Sequence, residues 1–410
     1  MRWIIMFKGG VETQEFFSVE IARALQLSWL FSNEYEIYWY DLILQSESAR
    51  MLRRFYEDHK TDEFYAFTFN FNGIAGEEGL YSNGSSFWNE TGIPVVNMVV
   101  DHPLYYHRYE NMIPANYVQI SIDENHEKYL KRFCPDIKSG GFIPLGGTGL
   151  NEKHAVVKES DYLNIQDRPI DVVFTGNYTP ITILRKHLEG MEQEYIDFYE
   201  SILEEVKSNP HELVEAVAER RLKEELGNLT DQQLKTCMPN MMYVDLAVRF
   251  YYRGLAVAAL ADNGIKVHTY GAGWNMLECK HPENIIQGGS VDSLKCLEVI
   301  SQSKLSLNVM PWFKAGAHDR IFNSMLNGAV CVSDGSTYIN RKFLNHNDIE
   351  IYSLKALKDY PEDLAENVAS LLADMEHMQE MADNAYHKAV KQHSWQKRAE
   401  KIADIIKDLH

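Results

Sequence analysis

No stretch of this sequence stays apolar long enough to cross a bilayer. The N-terminal run Arg2-Trp3-Ile4-Ile5-Met6-Phe7 stops at Lys8-Gly9-Gly10, too short for the core of an export signal. A soluble, cytoplasmic chain is expected. Cysteine is scarce and unpatterned. Cys134, Cys237, Cys279, Cys296 and Cys331 are odd in number, and no pair has zinc-ligand spacing. That argues against a disulfide framework and for buried free thiols in a reducing compartment. Basic residues are also in short supply, 40 Lys and Arg against 59 Asp and Glu, for a formal net charge of −19. Neither a nucleic-acid partner nor a basic membrane-surface patch is expected, because both are built from clustered Lys and Arg.

What is present is enough chain, 410 residues, for two domains that each bury a core. Strands alternate with helices. Strand 3–7 runs into the Gly9-Gly10 turn, and Thr13 to Leu30 has helical periodicity. Strands follow at 35–40 and 64–69, with a helix around 47–57 between them. Pro94 to Val100 is almost continuously apolar, the mark of a central strand covered on both faces. Shorter strands near 117–122 and 142–144 complete the first half. This alternation predicts an α/β fold with a parallel, doubly wound sheet.

The second half repeats the pattern. Ile170 to Tyr178 reads as a strand entering the turn Gly176-Asn177-Tyr178. A polar helical insertion spans about 183–240, broken at Pro210 and at Gly227-Asn228. Regular alternation resumes with helix 244–263, strand 266–270, turn Gly271-Ala272-Gly273-Trp274, helix 291–302 and strand 305–310. Pro311 to Arg320 then opens a helix ending at Asn327-Gly328, and strand 329–333 follows. Domains are expected at 1–160 and 168–390, with a closing helix over 391–410 and a polar linker near 151–168. Two such domains in tandem are expected to face a central cleft at the carboxyl ends of their strands, where doubly wound sheets bind ligands.

Ser303-Lys304-Leu305-Ser306-Leu307-Asn308-Val309 through Cys331-Val332-Ser333-Asp334 resembles the C-terminal domain of the GT-B glycosyltransferases, and within them the branch related to the spore-maturation protein CgeB. The likeness extends to Val267 through Trp274 and to the closing stretch His393 to Ala399. Asp101-His102-Pro103 is similar to a turn of the same branch. The resemblance implies two Rossmann-like domains, the first on the acceptor side and the second binding a nucleotide sugar, with the last helix crossing back to the first domain. Many retaining members carry two glutamates eight positions apart around this helix. Here Ala315 and Asn323 stand at those places, so the usual ribose carboxylate is missing and His318, Asp319 and Arg320 are a substituted version of the site.

The chemistry has an independent basis. A sugar diphosphate is held by free backbone N–H groups and the dipole at a helix N-terminus, and Gly316-Ala317-His318 ahead of the 319–327 helix provides one. His318 and Arg320 add donors as charge grows on the leaving diphosphate, while Asp319 or Asn323 accepts from ribose hydroxyls. The competing reading makes Asp319 a helix cap and Arg320 a solvated side chain. Asn177, Tyr178, Gly271, Gly273 and Trp274 are further donor-side candidates, against tight turns and packing. Gly9 and Gly10 either admit the sugar or phosphates or form a turn.

Asp101 and His102, at the end of strand 95–100, are candidates for the base that takes an acceptor proton. Tyr105, Tyr106, His107 and Tyr109 crowd the same loop. Asp161, Asp167 and Asp171 are too dispersed for a metal-binding Asp-x-Asp pair, so no metal or other cofactor is expected beyond the nucleotide-sugar co-substrate. The expected reaction is sugar transfer from a nucleoside diphosphate donor, UDP-sugar favoured, to a protein or glycan. The alternatives are an epimerase or phosphorylase on the same fold, or a non-catalytic two-domain binding protein.

Overall fold

The computed structural model describes residues 1–27, 35–82, 84–150 and 162–409. The end of the first predicted helix at 28–30, linker residues 151–161 and Asp161 therefore lie outside the described residues. The chain divides into two compact units, Met1–Gly146 with Trp395–His410, and Gly147–Ser394. Among the described residues no helix is long and apolar enough to cross a membrane.

The first unit is built on β1 (Arg2–Lys8), β2 (Tyr35–Asp41), β3 (Glu63–Phe69), the short hairpin β4 (Tyr81–Ser82) and β5 (Ser85–Ser86), then β6 (Val95–Val99), β7 (Tyr117–Ser121) and β8 (Lys138–Phe142). Six strands form a parallel sheet in the order β2-β1-β3-β6-β7-β8. The middle of β1 and all of β6 are buried, as their apolar runs require. The polar exception in β6 is satisfied: Asn97 Oδ1 accepts from the Phe71 amide at 3.2 Å, and its Nδ2 donates to the Tyr117 hydroxyl at 2.8 Å. The last strand is Lys138–Phe142 rather than 142–144. Its sequence KSGGF carries no apolar alternation, so this edge strand forms through backbone pairing to β7. The helix Trp395–Lys407 completes the unit. Trp395 lies 5.0 Å from Phe17, and Arg398 Nε donates to Leu145 O at 3.1 Å.

The second unit has β9 (Ile170–Thr175), β10 (Val267–Tyr270), β11 (Ile285–Gly289), β12 (Ser303–Asn308), β13 (Val330–Asp334) and β14 (Glu350–Tyr352), all parallel in the order β11-β10-β9-β12-β13-β14. The edge strands β11 and β14 have no sequence signal; one is largely exposed and the other only three residues long. The insertion is a set of helices, chiefly Gln193–Ser208, Val214–Leu226 and Asp231–Cys237, which lead into the long helix Met242–Asp262. Helix Val214–Leu226 ends where Gly227 turns to φ 82°. Strand order reverses direction between β1 and β3 in the first unit and between β9 and β12 in the second. Loops leaving the carboxyl ends of strands at such points frame a crevice.

Candidate functional site

In the second unit, the turn after β9 and the loop 309–318, which opens helix Asp319–Leu326, leave the carboxyl ends of the neighbouring strands β9 and β12. Arg320 is buried, not solvated. Its Nη1 donates to Thr175 O at 2.5 Å, and Nε and Nη2 lie 3.2 and 3.0 Å from the two ring nitrogens of His318. Asp319 Oδ1 lies 2.6 Å from His318 Nδ1. Burial, reinforced by the charge of Arg320, lowers the His318 pKa to about 4. The imidazole is thus neutral at physiological pH, and the positive charge of this helix start resides on Arg320.

Two further arginines, missed in the sequence, join it. Arg249 and Arg253 stand one turn apart on helix Met242–Asp262. Arg249 Nη2 donates to Asp245 Oδ2 at 3.1 Å, and its guanidinium lies 3.9 Å from the Trp312 ring centroid. Arg253 is 7% exposed. Its Nη1 donates to Asn177 O at 3.0 Å, and it makes no ion pair with any described residue. Burial, then the charges of Arg320 and Arg249, press its pKa well below the usual guanidinium value. The available signal was a pair of arginines four apart inside VRFYYRGLAVAAL, an otherwise apolar helical run. Asp334 closes the cluster at the end of β13. It accepts from the Met310 amide at 2.7 Å, yet burial pushes its pKa up to about 7. The carboxylate near Arg320 is therefore one of reduced charge.

The remaining donor-side candidates serve mainly to shape this floor. Asn177 Oδ1 accepts from the Ala272 amide at 2.8 Å, and Tyr178 N donates to Ala272 O at 2.9 Å. Gly271 and Gly273 are required by chain packing. A Cβ on Gly271 would lie 2.4 Å from Gly176 O, and one on Gly273 would lie 2.0 Å from Tyr178 O. Trp274 is buried, donates from Nε1 to Gly176 O at 2.8 Å and stacks on Tyr178 at 5.4 Å. Gly316 and Ala317 are buried, with Gly316 O accepting from Ser336 Oγ at 2.6 Å. Asn323 is committed at both ends: Oδ1 accepts from Thr148 N at 2.9 Å, and Nδ2 donates to Asp319 Oδ2 at 2.9 Å.

In the first unit, Gly9 has φ 77° and its amide donates to Glu15 Oε2 at 2.8 Å, so a carboxylate already holds the group a phosphate would seek. Gly10 adjoins it, with the Leu42 side chain 3.0 Å from where its Cβ would stand. Asp101 follows β6 and accepts from Asn70 Nδ2 at 3.0 Å and from the Tyr106 hydroxyl at 3.1 Å. Asn70 and Phe71, which shape that strand end, both have positive φ. His102 is turned inward, its Nδ1 accepting from Leu104 N at 3.1 Å and its ring 4.6 Å from His126. His318, Asp319, Arg320, Asn177 and the glycine turns thus belong to one unit, and Gly9, Gly10, Asp101 and His102 to the other.

Residues 253–404 match the family described as glycosyl transferase-like. No curated protein matches the chain in sequence. Solved structures share its fold across the whole length. One is Anabaena Alr3699/HepE in complex with UDP-glucose, 11% identical, with 100% of each chain covered and a TM-score of 0.51. Another is an alpha-glucosyltransferase in complex with UDP-glucose and DNA containing an abasic site, 13% identical over 100% of this chain and 99% of that one, with a TM-score of 0.52. Sucrose-phosphate synthase from Thermosynechococcus elongatus is 8% identical over 100% and 99%, also at 0.52. The two parallel six-stranded α/β units are those of the GT-B fold.

Proposed function

We propose that this chain is a glycosyltransferase of the CgeB-like branch, acting in the cytoplasm. It binds a nucleoside diphosphate sugar, a UDP-sugar foremost, and moves a hexose or N-acetylhexosamine onto a protein or glycan. The observation that carries the reading is Arg253, a buried guanidinium with no carboxylate partner among the described residues, placed beside Arg249 and Arg320. An isolated buried charge costs several kcal/mol, and a diphosphate supplies the missing counter-charge. The family match over 253–404 and solved structures of the same fold that hold UDP-glucose support the donor class.

Chemically, the bond to be broken leaves negative charge on the distal phosphate. Preorganised guanidiniums stabilise that charge as it develops and need no reorganisation to do so. They take the part that a divalent cation plays in metal-assisted transfer, so the donor step is assigned no metal. Asp101, its rotamer held by Asn70 and Tyr106, is assigned to the acceptor hydroxyl.

Thermal-shift screening against UDP, GDP, TDP and their sugars tests the donor class. Stabilisation by uridine nucleotides is expected, followed by release of free UDP only when an acceptor is supplied. Turnover without acceptor would point to an epimerase or phosphorylase, and no stabilisation by any nucleotide would remove the transferase reading.

A further inference from the structure

We infer that His107, Glu110 and Cys134 in the first unit form a binding site for a single transition-metal ion of the zinc class. His107 and Glu110 lie three apart on the tight helix Pro103–Met112, where such positions eclipse one another. Cys134 caps the end of helix Glu124–Phe133. Their donor atoms converge. His107 Nδ1 is 2.6 Å from Glu110 Oε1, Glu110 Oε1 is 3.3 Å from Cys134 Sγ, and Cys134 Sγ is 3.9 Å from His107 Nδ1; all three fall within 4.8 Å of one another.

The convergence decides between two chemistries. A nucleophilic triad places thiol and carboxylate on opposite nitrogens of the imidazole, so that one orients the ring and the other is activated. Here thiol and carboxylate meet the same nitrogen, which is the arrangement of ligands around a point. Bonds of about 2.0–2.3 Å to zinc set neighbouring donors roughly 3.3–3.6 Å apart. The observed separations bracket that range, and opening the His107–Glu110 contact admits the ion. The other ring nitrogen, Nε2, lies 2.8 Å from the Tyr129 hydroxyl, the outer-shell partner that fixes a ligating histidine. A mixed nitrogen, oxygen and sulfur set suits zinc over magnesium or calcium. The His107 side chain is 8% exposed and that of Glu110 26%, so the cluster is reachable from solvent through Glu110.

Binding releases the Cys134 thiol proton into solution as the metal–sulfur bond forms, while His107 ligates through Nδ1 as a neutral imidazole that keeps its proton on Nε2, toward Tyr129. It ties helix Pro103–Met112, whose Tyr106 holds Asp101, to helix Glu124–Phe133. The site involves none of the donor-side residues, and its test does not depend on the transferase reading.

Full-length protein stripped with chelator and titrated with Co²⁺ reads the site directly. One equivalent of binding with a thiolate-to-cobalt charge-transfer band is expected, displaced by Zn²⁺. Cys134→Ser should lose the band, Cys279→Ser should keep it, and Tyr129→Phe should weaken binding about tenfold. An absent band in the wild type, or an unchanged band in Cys134→Ser, overturns the site. Zinc-edge X-ray absorption on the wild type needs no variant: one sulfur in the zinc shell is expected, and none overturns the proposal.

Discussion

Arg253 carries its charge into the second unit, where burial and two neighbouring guanidiniums oppose it. The folded protein therefore spends stability to keep a cation there, and removing the charge should return some. Arg253→Met is expected to leave the ligand-free melting temperature unchanged or higher. Its nucleotide-induced shift should vanish, and the KM for donor should rise about 10–100-fold, the equivalent of about 1.5–3 kcal/mol for hydrogen bonds to a charged group. A wild-type KM in that variant would move the diphosphate elsewhere. Asp334 makes the companion case with pH. Its folded pKa of about 7 stands above the ordinary aspartate value of 3.8, so its charging destabilises the fold as pH rises from about 4 through 7. Asp334→Asn keeps an acceptor for the Met310 amide and removes that charge. Its thermal stability should match the wild type near pH 4 and exceed it at pH 8 by on the order of 1–3 kcal/mol. Arg320 was legible because it opens a helix behind a glycine loop. Arg253 was not, because an apolar helical run is read for its buried face, and whether an arginine within it meets a carboxylate depends on the neighbouring elements.

Elements that announce themselves do so by burial on both faces. The runs in β1 and β6 are apolar because helices cover the sheet, and the breaks at Pro210 and Gly227 punctuate the helical insertion. β8, β11 and β14 lie on sheet edges, where backbone pairing suffices and side chains carry little pattern. The turns after β9 and β10 fall between these cases. Their glycines were visible, but not the reason for them, which is mutual backbone contact: Gly176 N donates to Tyr270 O at 2.7 Å, and Gly271, at φ 142°, leaves no room for a Cβ. Gly271→Ala should therefore cost about 1–3 kcal/mol from strain and displacement together, and weaken donor binding as Asn177 shifts away from Arg253. Gly264→Ala is the control. Gly264 has φ 83° and open space around its missing Cβ, so it should cost only the conformational term, about 1 kcal/mol, with donor KM unchanged. Equal effects on KM would separate the glycine turns from the arginine pocket.

At the scale of the molecule, a net charge of −19 coexists with a local cluster of guanidiniums, so the average charge does not describe the cluster. The chain's last helix shows how much of the architecture lies beyond local patterning. Trp395 to Lys407 is amphipathic in sequence, but amphipathicity says only that one face is buried, not against what. The partners are Phe17 and Gly146, remote in the chain; a Cβ on Gly146 would lie 2.8 Å from the Trp395 ring, so the glycine makes the space the indole fills. Trp395 is 2% exposed. Replacing it with alanine opens a cavity in the first unit at a cost of about 3–5 kcal/mol, a large part of what a domain has to spend. The arginine pocket belongs to the other unit and contains no residue of this helix. Trp395→Ala should thus lower the midpoint of urea unfolding while UDP binding, measured by calorimetry in the cold and without denaturant, keeps its wild-type affinity. Loss of nucleotide affinity in folded Trp395→Ala would make the first unit part of the donor site, and the arginine cluster alone would no longer account for binding.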